Sequence, residues 1–269
     1  MFLDHLDVRR AFEEDEFFPL FQPLVDLRSG QLAGFEALAR WNHARLGAIS
    51  PDAFIPIVQK SGYINTLTRK LLEKTFAAAS LLPTALRLSI NLFSLQLMDE
   101  MLPGQIAAVA QRGGFPLDRL TVEMTESALL NHLSSAQAVA GELKNLHCRL
   151  SLDNFGTDHS SLIHLHALPF DEVKIDRSLI HAMTQCRASR KIVAAVVGLD
   201  RDLGLETVAE GVETAEEAGL LDEMQCGLAQ GWYFGRPAAA DEIPRMISEA
   251  PCNRAGLDLA EQDAIAAAV

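Results

Sequence analysis

The sequence contains no long apolar stretch and no paired, metal-binding cysteines. No segment of the 269 residues approaches the roughly 18 uninterrupted apolar residues that a membrane-spanning helix needs. The acidic start of the chain lacks the basic-then-apolar layout of a secretory signal peptide. No Cys-x-x-Cys spacing occurs, so we expect reduced packing residues at Cys148, Cys186, Cys226 and Cys252. These absences predict a cytoplasmic protein with no membrane partner.

Basic residues are too few for a general nucleic-acid binder. The chain has 23 Lys and Arg against 36 Asp and Glu, a net charge of −13, whereas binding to a phosphate backbone needs clustered basic side chains. We therefore expect no nucleic-acid polymer as a partner. An acidic protein can still bind a small phosphorylated ligand if divalent cations bridge the two. The excess of carboxylates then becomes an indication of metal binding.

Strand-like and helix-like segments alternate along most of the chain. The predicted strands are Phe17–Leu27, Leu32–Trp41, Leu86–Leu92, Leu120–Met124, Cys148–Asp153, Glu172–Ile175, Leu205–Ala209 and Gly227–Phe234. The predicted helices are Phe2–Glu16, Pro51–Ser80 with a break at Gly62, Ser94–Arg112, Ser134–Leu146, Ser160–Ala167, Ala188–Leu203 and Ala240–Glu249. This order favours an α/β barrel of parallel strands with right-handed crossovers. The hairpin at the start makes one strand antiparallel.

The chain shows no linker long enough to separate two domains. We expect one domain over residues 1–250, with the short N-terminal helix included. Residues 251–269 are expected to form a tail or a peripheral helix.

The central strands end in residues that can hold a metal, a proton or a phosphate. These residues are Asn91, Glu123, Asp153, Lys174 and Glu210. Barrel enzymes place their active sites at the carboxyl ends of the strands, so these side chains should converge on one rim. Any one of them could simply face solvent, but five in succession favour a shared site.

The second strand of the hairpin adds a carboxylate and a guanidinium. Alternation along a strand puts Glu36, Leu38 and Arg40 on one side. This spacing suits a metal ligand beside a phosphate clamp, although an exposed ion pair would have the same pattern. Carboxylate and amide oxygens are the ligands that Mg²⁺ and Mn²⁺ prefer. The residues together indicate metal-assisted hydrolysis of a phosphodiester.

Seven sequence blocks occur in order along most of the chain. They read FQPLVDLRSGQLAGFEALARWNH at Phe21–His43, SINLFS at Ser89–Ser94, VEMTES at Val122–Ser127, SLDNFGTDHSSL at Ser151–Leu162, LPFDEVKIDRSLI at Leu168–Ile180, TVAEGVET at Thr207–Thr214 and AQGWYFGRP at Ala229–Pro237. Together they resemble the EAL-domain cyclic di-GMP phosphodiesterases, and the resemblance implies a modified TIM (β/α)8 barrel with an antiparallel first strand. It also implies a cyclic-guanylate-specific phosphodiesterase that converts cyclic di-GMP to linear 5′-pGpG.

The resemblance further implies two Mg²⁺ or Mn²⁺ ions per active site and a set of residue roles. The implied metal ligands are Glu36, Asn91, Glu123, Asp153, Asn154 and Glu210. Lys174 and Gln230 are expected at the nucleophilic water, Glu210 as metal ligand or general base, and Glu126 steadying the loop after Asp153. The implied nucleotide contacts are Gln22, Leu38, Arg40, Glu213 and Arg236. A homodimer and a regulatory protein partner are also expected.

The chain departs from the family pattern on one loop. Asp153-Asn154 stands where active members usually carry two aspartates, and Asp158 replaces a glycine. Asn154 would be a neutral and weaker ligand for the second ion. Two hypotheses follow, an enzyme or a receptor that binds cyclic di-GMP without turnover and signals through a partner. A scaffold that binds no nucleotide is disfavoured, because the pocket residues are present.

Overall fold

A closed β-barrel forms the centre of the molecule. The computed structural model describes residues 3–130, 132–156 and 165–249. Its strands are β1 (Phe17–Asp26), β2 (Leu32–His43), β3 (Gly47–Ile49), β4 (Arg87–Leu92), β5 (Leu120–Thr125), β6 (Arg149–Phe155), β7 (Glu172–Ile175), β8 (Glu206–Ala209) and β9 (Leu228–Ala229).

Eight of these strands close the barrel in the order β1-β2-β4-β5-β6-β7-β8-β9, and β9 pairs back to β1. Strand β1 runs antiparallel to both of its neighbours, whereas the other barrel pairs are parallel. Strand β3 only extends β2 outside the ring. The modified TIM barrel with an antiparallel first strand is therefore confirmed.

Helices cover the outer face of the barrel. Within the described ranges they are α1 (His5–Glu13), α2 (Pro51–Lys60), α3 (Ile64–Ala78), α4 (Leu102–Gly113), α5 (Glu126–Leu130), α6 (Leu133–Asn145), α7 (Arg177–Gln185), α8 (Arg187–Leu203), α9 (Ala215–Glu223) and α10 (Ile243–Glu249). None of the helices in this described part is long and apolar enough to cross a membrane.

Two predicted elements differ most from the structure in extent. The strand predicted at Gly227–Phe234 is wrong beyond Ala229, because the chain turns at Gly231. The helix predicted from Ser94 begins as a 3₁₀ segment, Ser94–Met98, before α4. Most of the predicted helix Ser160–Ala167 and the whole of the predicted tail 251–269 lie outside the described residues.

Apolar side chains fill the layer between the strands and the helices. A large apolar cluster surrounds the barrel. A smaller cluster, which includes Phe17, Trp41 and Phe54, packs α1 and α2 against the hairpin. Among the predicted packing cysteines, Cys148 and Cys226 are buried free thiols. Cys186 is exposed instead, because it lies at the junction of α7 and α8.

Candidate active site

The strand-end residues predicted from the sequence meet at one end of the barrel. Glu36 comes from β2, Asn91 from β4, Glu123 from β5, Asp153 from β6 and Lys174 from β7. Glu210 and Gln230 directly follow β8 and β9. Side-chain contacts join them across the barrel, so the predicted convergence occurs in the structure.

Lys174 lies at the centre of this group. Its Nζ is 3.0 Å from Glu36 Oε2, 2.9 Å from Glu123 Oε2 and 2.7 Å from Glu210 Oε1. The side chain is only 2% exposed, which leaves almost no water to solvate its charge. Burial alone would lower its pKa, but the surrounding carboxylates raise the pKa of Lys174 well above its usual value. The lysine is therefore a cation at neutral pH.

Glu36 is the best-satisfied carboxylate of the group. Besides Lys174, it accepts hydrogen bonds from Asn91 Nδ2 at 2.7 Å and from Gln230 Nε2 at 2.6 Å. Burial opposes its ionisation, yet Lys174 and these donors lower the pKa of Glu36 to about 2. Glu36 therefore stays ionised.

The other three carboxylates are less well compensated. Burial and repulsion between the acids raise the pKa of Glu123 and of Asp153, although Lys174 opposes both shifts. Burial raises the pKa of Glu210 to about 8, with Lys174 again opposing and Asp153 contributing. One ammonium thus faces four buried acids, so the four do not all ionise together without a further cation.

This donor set suits a divalent cation. Four carboxylates and one amide are the hard oxygen ligands that Mg²⁺ and Mn²⁺ bind, and a dication would relieve the repulsion that raises the acid pKa values. Among the residues described, no three Asp, Glu, His or Cys side chains are arranged as a finished metal site. The physical reason is that Glu36, Glu123 and Glu210 direct oxygens at Lys174.

Asn154 directly follows Asp153 and folds back on it. Its backbone N donates to Asp153 Oδ1 at 2.8 Å, and its Nδ2 faces Oδ2 at 3.3 Å. The residue has a φ of 59°, a left-handed conformation that asparagine adopts more readily than most residues. Glu126 is buried at the start of α5. The loop that it is predicted to steady, including Asp158, lies outside the described residues.

The predicted nucleotide contacts on the hairpin lie beside this centre. Gln22 pairs with Glu36 across the β1–β2 ladder, and its Nε2 reaches Gly235 O at 3.5 Å. Leu38 and Arg40 continue along the Glu36 face of β2 and are partly exposed. The Arg40 guanidinium donates to the carbonyl oxygen of Ala39 at 2.8 Å, so one of its N–H groups already has a hydrogen-bond partner.

Two further predicted contacts lie on exposed rim segments. Arg236 is exposed and its guanidinium lies 4.6 Å from the centroid of the Trp232 ring. Glu213 is also exposed, on the segment between β8 and α9. These two segments are joined by backbone hydrogen bonds at Val212, whose N donates to Gln230 O and whose O accepts from Tyr233 N.

Sequence reasoning missed one residue next to this rim. An acidic pair such as Glu216-Glu217 ordinarily faces solvent on a helix, but Glu217 is buried and contacts His181 and the backbone of the preceding loop. The pattern Thr214-Ala215-Glu216-Glu217 is a capping-box signature, and that signal could have identified the residue.

A polar cavity of about 290 Å³ adjoins the centre at Asn91. Its lining includes Phe93, Ser94, Thr125 and His132. The cavity shares Asn91 with the carboxylate group, so a ligand at the centre could extend into it.

Three comparisons with known proteins bear on this site. A family model described as EAL domain matches residues 5–237. An uncharacterized signaling protein of Caulobacter vibrioides is 38% identical over 88% of this chain and 29% of its own length. The cyclic di-GMP phosphodiesterase RocR of Pseudomonas aeruginosa is 33% identical over 86% of this chain and 60% of its own length. The chain thus spans less than two thirds of these relatives.

A solved structure agrees with the fold. The phosphodiesterase PaMucR in complex with c-di-GMP superposes with a TM-score of 0.83 at 32% identity, covering 88% of this chain and 98% of that one. The barrel therefore belongs to an architecture for which a complex with c-di-GMP is known.

Proposed function

This chain belongs to the EAL domain family, and on that premise we propose that it is a metal-dependent phosphodiesterase that hydrolyses cyclic di-GMP to linear 5′-pGpG. Relatives named as cyclic di-GMP phosphodiesterases at 32–33% identity support the substrate. We also propose that it acts in the cytoplasm as a homodimer and that a regulatory protein partner controls it.

One observation carries the proposal. Four buried carboxylates and an amide from successive strand ends surround a single buried lysine. Such a concentration of buried acids is costly for folding. This cost indicates a functional role rather than a structural one. Sites of this kind, with several perturbed acids in one cleft, are candidates for catalysis.

The proposed ligands for Mg²⁺ or Mn²⁺ are Glu36, Asn91, Glu123, Asp153, Asn154 and Glu210. When bound, such ions activate water and stabilise charge on the phosphate oxygens. The lysine offsets part of the negative charge of the ligand set, so the phosphate groups of the nucleotide meet less repulsion.

The protein's own residues supply positioning and proton transfer. Lys174 stays protonated, so its role is to orient water and acids rather than to accept a proton. Gln230 holds Glu36 and reaches Glu210 Oε1 at 3.4 Å, which fixes both acids relative to each other. Burial raises the pKa of Glu210 to about 8, which makes its deprotonated form a stronger proton acceptor, the property that a general base needs.

The nucleotide is expected to bind along the hairpin and the rim. Arg40 suits a phosphate because a guanidinium can donate two parallel hydrogen bonds to it. Gln22, Leu38, Glu213 and Arg236 complete the proposed contact surface. We assign Glu126 to steadying the loop after Asp153.

The test is a chromatogram of products after incubation with cyclic di-GMP and Mn²⁺. We expect 5′-pGpG, complete loss of hydrolysis in excess chelator, and recovery when Mg²⁺ or Mn²⁺ is added back. Glu123→Gln should abolish turnover, whereas Glu100→Gln, at an exposed acid just before α4, should retain it. Undiminished turnover in excess chelator would refute the metal dependence.

A second function has one observation in its favour. The Asn154 side chain presents an amide N–H to Asp153, where a second carboxylate would add negative charge for a cation. A weakly filled second metal position would favour a receptor that binds cyclic di-GMP and signals through a partner. Tight nucleotide binding with no product at any metal concentration would establish that alternative.

A further inference from the structure

The segment between β8 and α9 carries Glu210 into the site. Glu210 N donates to Ile175 O at 3.1 Å, which ties the segment to the end of β7. Gly211 has a φ of 65°, and a Cβ at this position would lie 2.5 Å from Arg177 Cβ. The segment is therefore packed closely on the first turn of α7. Its geometry fixes where the Glu210 carboxylate lies.

Glu217 closes the far end of this segment. Its Oε2 accepts hydrogen bonds from the backbone N of Glu213 at 2.8 Å and of Thr214 at 3.0 Å. Thr214 Oγ1 in turn accepts from Glu217 N at 3.2 Å, which completes a capping box for α9. The carboxylate is only 5% exposed, so water competes little for these bonds.

His181 holds the other oxygen of the same carboxylate. Its Nδ1 lies 2.7 Å from Glu217 Oε1, and an ionised carboxylate can only accept, so Nδ1–H is the donor. Burial opposes ionisation, but the bonds from His181 and from the backbone lower the pKa of Glu217. His181 belongs to α7, which begins just after the strand that carries Lys174.

We propose that the His181–Glu217 pair is a positioning device that fixes the Glu210–Thr214 segment against α7 and so sets the distance between Glu210 and Lys174. Its catalytic consequence rests on the proposed phosphodiesterase function. One carboxylate joins two structural units, each of which delivers one member of the Lys174–Glu210 ion pair. Capping of α9 by Thr214 alone would need neither His181 nor the second backbone bond.

The experiment combines amide hydrogen exchange at Glu213 and Thr214 with kcat at saturating cyclic di-GMP and Mn²⁺, on the full chain. Glu217→Ala should speed exchange of both amides by about tenfold or more, because two hydrogen bonds are lost. It should lower kcat on the order of tenfold to a hundredfold, the range for a slightly misplaced catalytic group. Glu217→Gln keeps an acceptor oxygen, so it should restore most of the slow amide exchange and most of the wild-type kcat.

Three controls separate positioning from general stability. His181→Ala should give smaller changes of the same sign, because the two backbone bonds remain. Thr214→Ala removes the cap bond alone, so it should lower Tm while leaving kcat close to that of the wild type. Glu216→Ala, which removes the exposed neighbour on α9, should match the wild type in both measurements.

Unchanged exchange in Glu217→Ala would overturn the device, and so would faster exchange with an unchanged kcat. Equal kcat losses in Thr214→Ala and Glu217→Ala would show that Glu217 acts only as part of the helix cap. A wild type without hydrolysis would refute the proposed function instead, and the exchange rates of His181→Ala and Glu217→Ala would still decide whether the pair fixes the segment.

Discussion

Lys174 is a single cation that several buried acids share. Its three ion pairs reach Glu36, Glu123 and Glu210 from different strands. Because a buried charge without a partner costs several kcal/mol, neither the lysine nor its acids are independent of the others. A change at one of them therefore alters the charge state of the whole group.

Lys174 and Arg40 are expected to have separable roles. Lys174→Ala should lower turnover sharply and largely spare nucleotide affinity, because the lysine contacts acids rather than the exposed surface proposed for the nucleotide. Arg40→Ala should weaken binding by about tenfold to a hundredfold, the value of one or two charge-assisted hydrogen bonds. Steady-state rates and calorimetry with a non-hydrolysable cyclic di-GMP analogue measure the two effects.

Two further measurements make this comparison decisive. Lys174→Ala should also lower the unfolding free energy by roughly 3–5 kcal/mol, because buried acids lose their partner, so folding must be verified at the assay temperature. Arg45→Ala, at a guanidinium 66% exposed, is the control for Arg40. The opposite pattern, with affinity lost in Lys174→Ala and turnover lost in Arg40→Ala, would show that the role assignments are wrong.

Asn154 is the residue at which metal affinity should be adjustable. Asn154→Asp should strengthen binding of the second ion by roughly tenfold, because ligand charge tunes cation affinity over decades. Initial rates at limiting Mn²⁺ should rise, and the gain should shrink at saturation, where mass action fills the weaker position.

A metal titration of initial rates tests this prediction. Asn145→Asp, which adds the same charge at an exposed position of α6, should reproduce the wild-type curve. Coincident curves for the wild type and Asn154→Asp would show that the asparagine is no handicap. Asp158→Gly belongs in the same titration, because that aspartate could supply the missing charge and its removal should then lower activity.

At the level of elements, sequence patterns predict the strands well where neighbouring strands cover them. Period-two alternation in β2 places Glu36 and Arg40 on the opposite face from Phe35 and Trp41, although Glu36 is buried as well. The apolar run after Ala229 fails as a strand because Gly231 has a φ of 155° and its position leaves no room for a Cβ beside Val212 O. That constraint comes from a segment about twenty residues away, so local pattern cannot reveal it.

The same limit applies to the candidate site. Strand-end position identifies the carboxylates, because parallel strands bring their carboxyl ends together whatever their side chains. It does not identify which of them Lys174 pairs with, nor the burial of Glu217. Both depend on contacts between residues far apart in the chain, such as His181 and Glu217.

The contact between α8 and β8 contains a buried acid outside the site. Asp200 Oδ2 accepts from Thr207 Oγ1 at 2.9 Å, and Oδ1 has no hydrogen-bond partner among the described residues. Burial raises the pKa of Asp200 from 3.8 to about 6, although the bond from Thr207 opposes the shift. The folded protein therefore binds this proton more tightly than the unfolded chain does.

This acid should make stability fall as pH rises. Its favourable contribution is complete below about pH 3.8 and is lost as pH rises through about 6. Asp200→Asn removes the ionisation. The unfolding free energy of the variant, relative to that of the wild type, should therefore rise between these pH values by up to roughly 3 kcal/mol. Urea unfolding from pH 4 to pH 8 measures the difference, and other groups cancel in it.

Asp202→Asn is the matched control, because Asp202 is exposed on the same helix. Its difference from the wild type should stay flat with pH. A flat difference for Asp200→Asn as well would mean that the buried carboxylate ionises normally in the folded protein.

At the scale of the whole molecule, the two ends of the barrel hold charged groups of different character. The carboxyl end has an excess of acids that suits a cation. At the amino end, Glu206 of β8 accepts two bonds from Arg87 of β4, at 2.6 and 3.1 Å, and one from Arg149 of β6 at 2.8 Å. This network crosses the barrel between strands that are not neighbours, and it pairs one carboxylate with two guanidinium groups.

Because the amino end of such barrels serves stability and the carboxyl end serves chemistry, the two should respond to mutation independently. Glu206→Gln leaves two guanidinium groups with a neutral partner and should lower the unfolding free energy by about 1–3 kcal/mol. Its kcat/KM for cyclic di-GMP should remain that of the wild type at a temperature where both are folded.

Glu242→Gln is the control. It breaks an exposed ion pair with Arg245 and should change stability by less than about 0.5 kcal/mol. A loss of kcat/KM in Glu206→Gln at unchanged stability would show that the barrel transmits strain from one end to the other, since no residue of this network contacts Lys174 or its acids in the described hydrogen bonds and ion pairs.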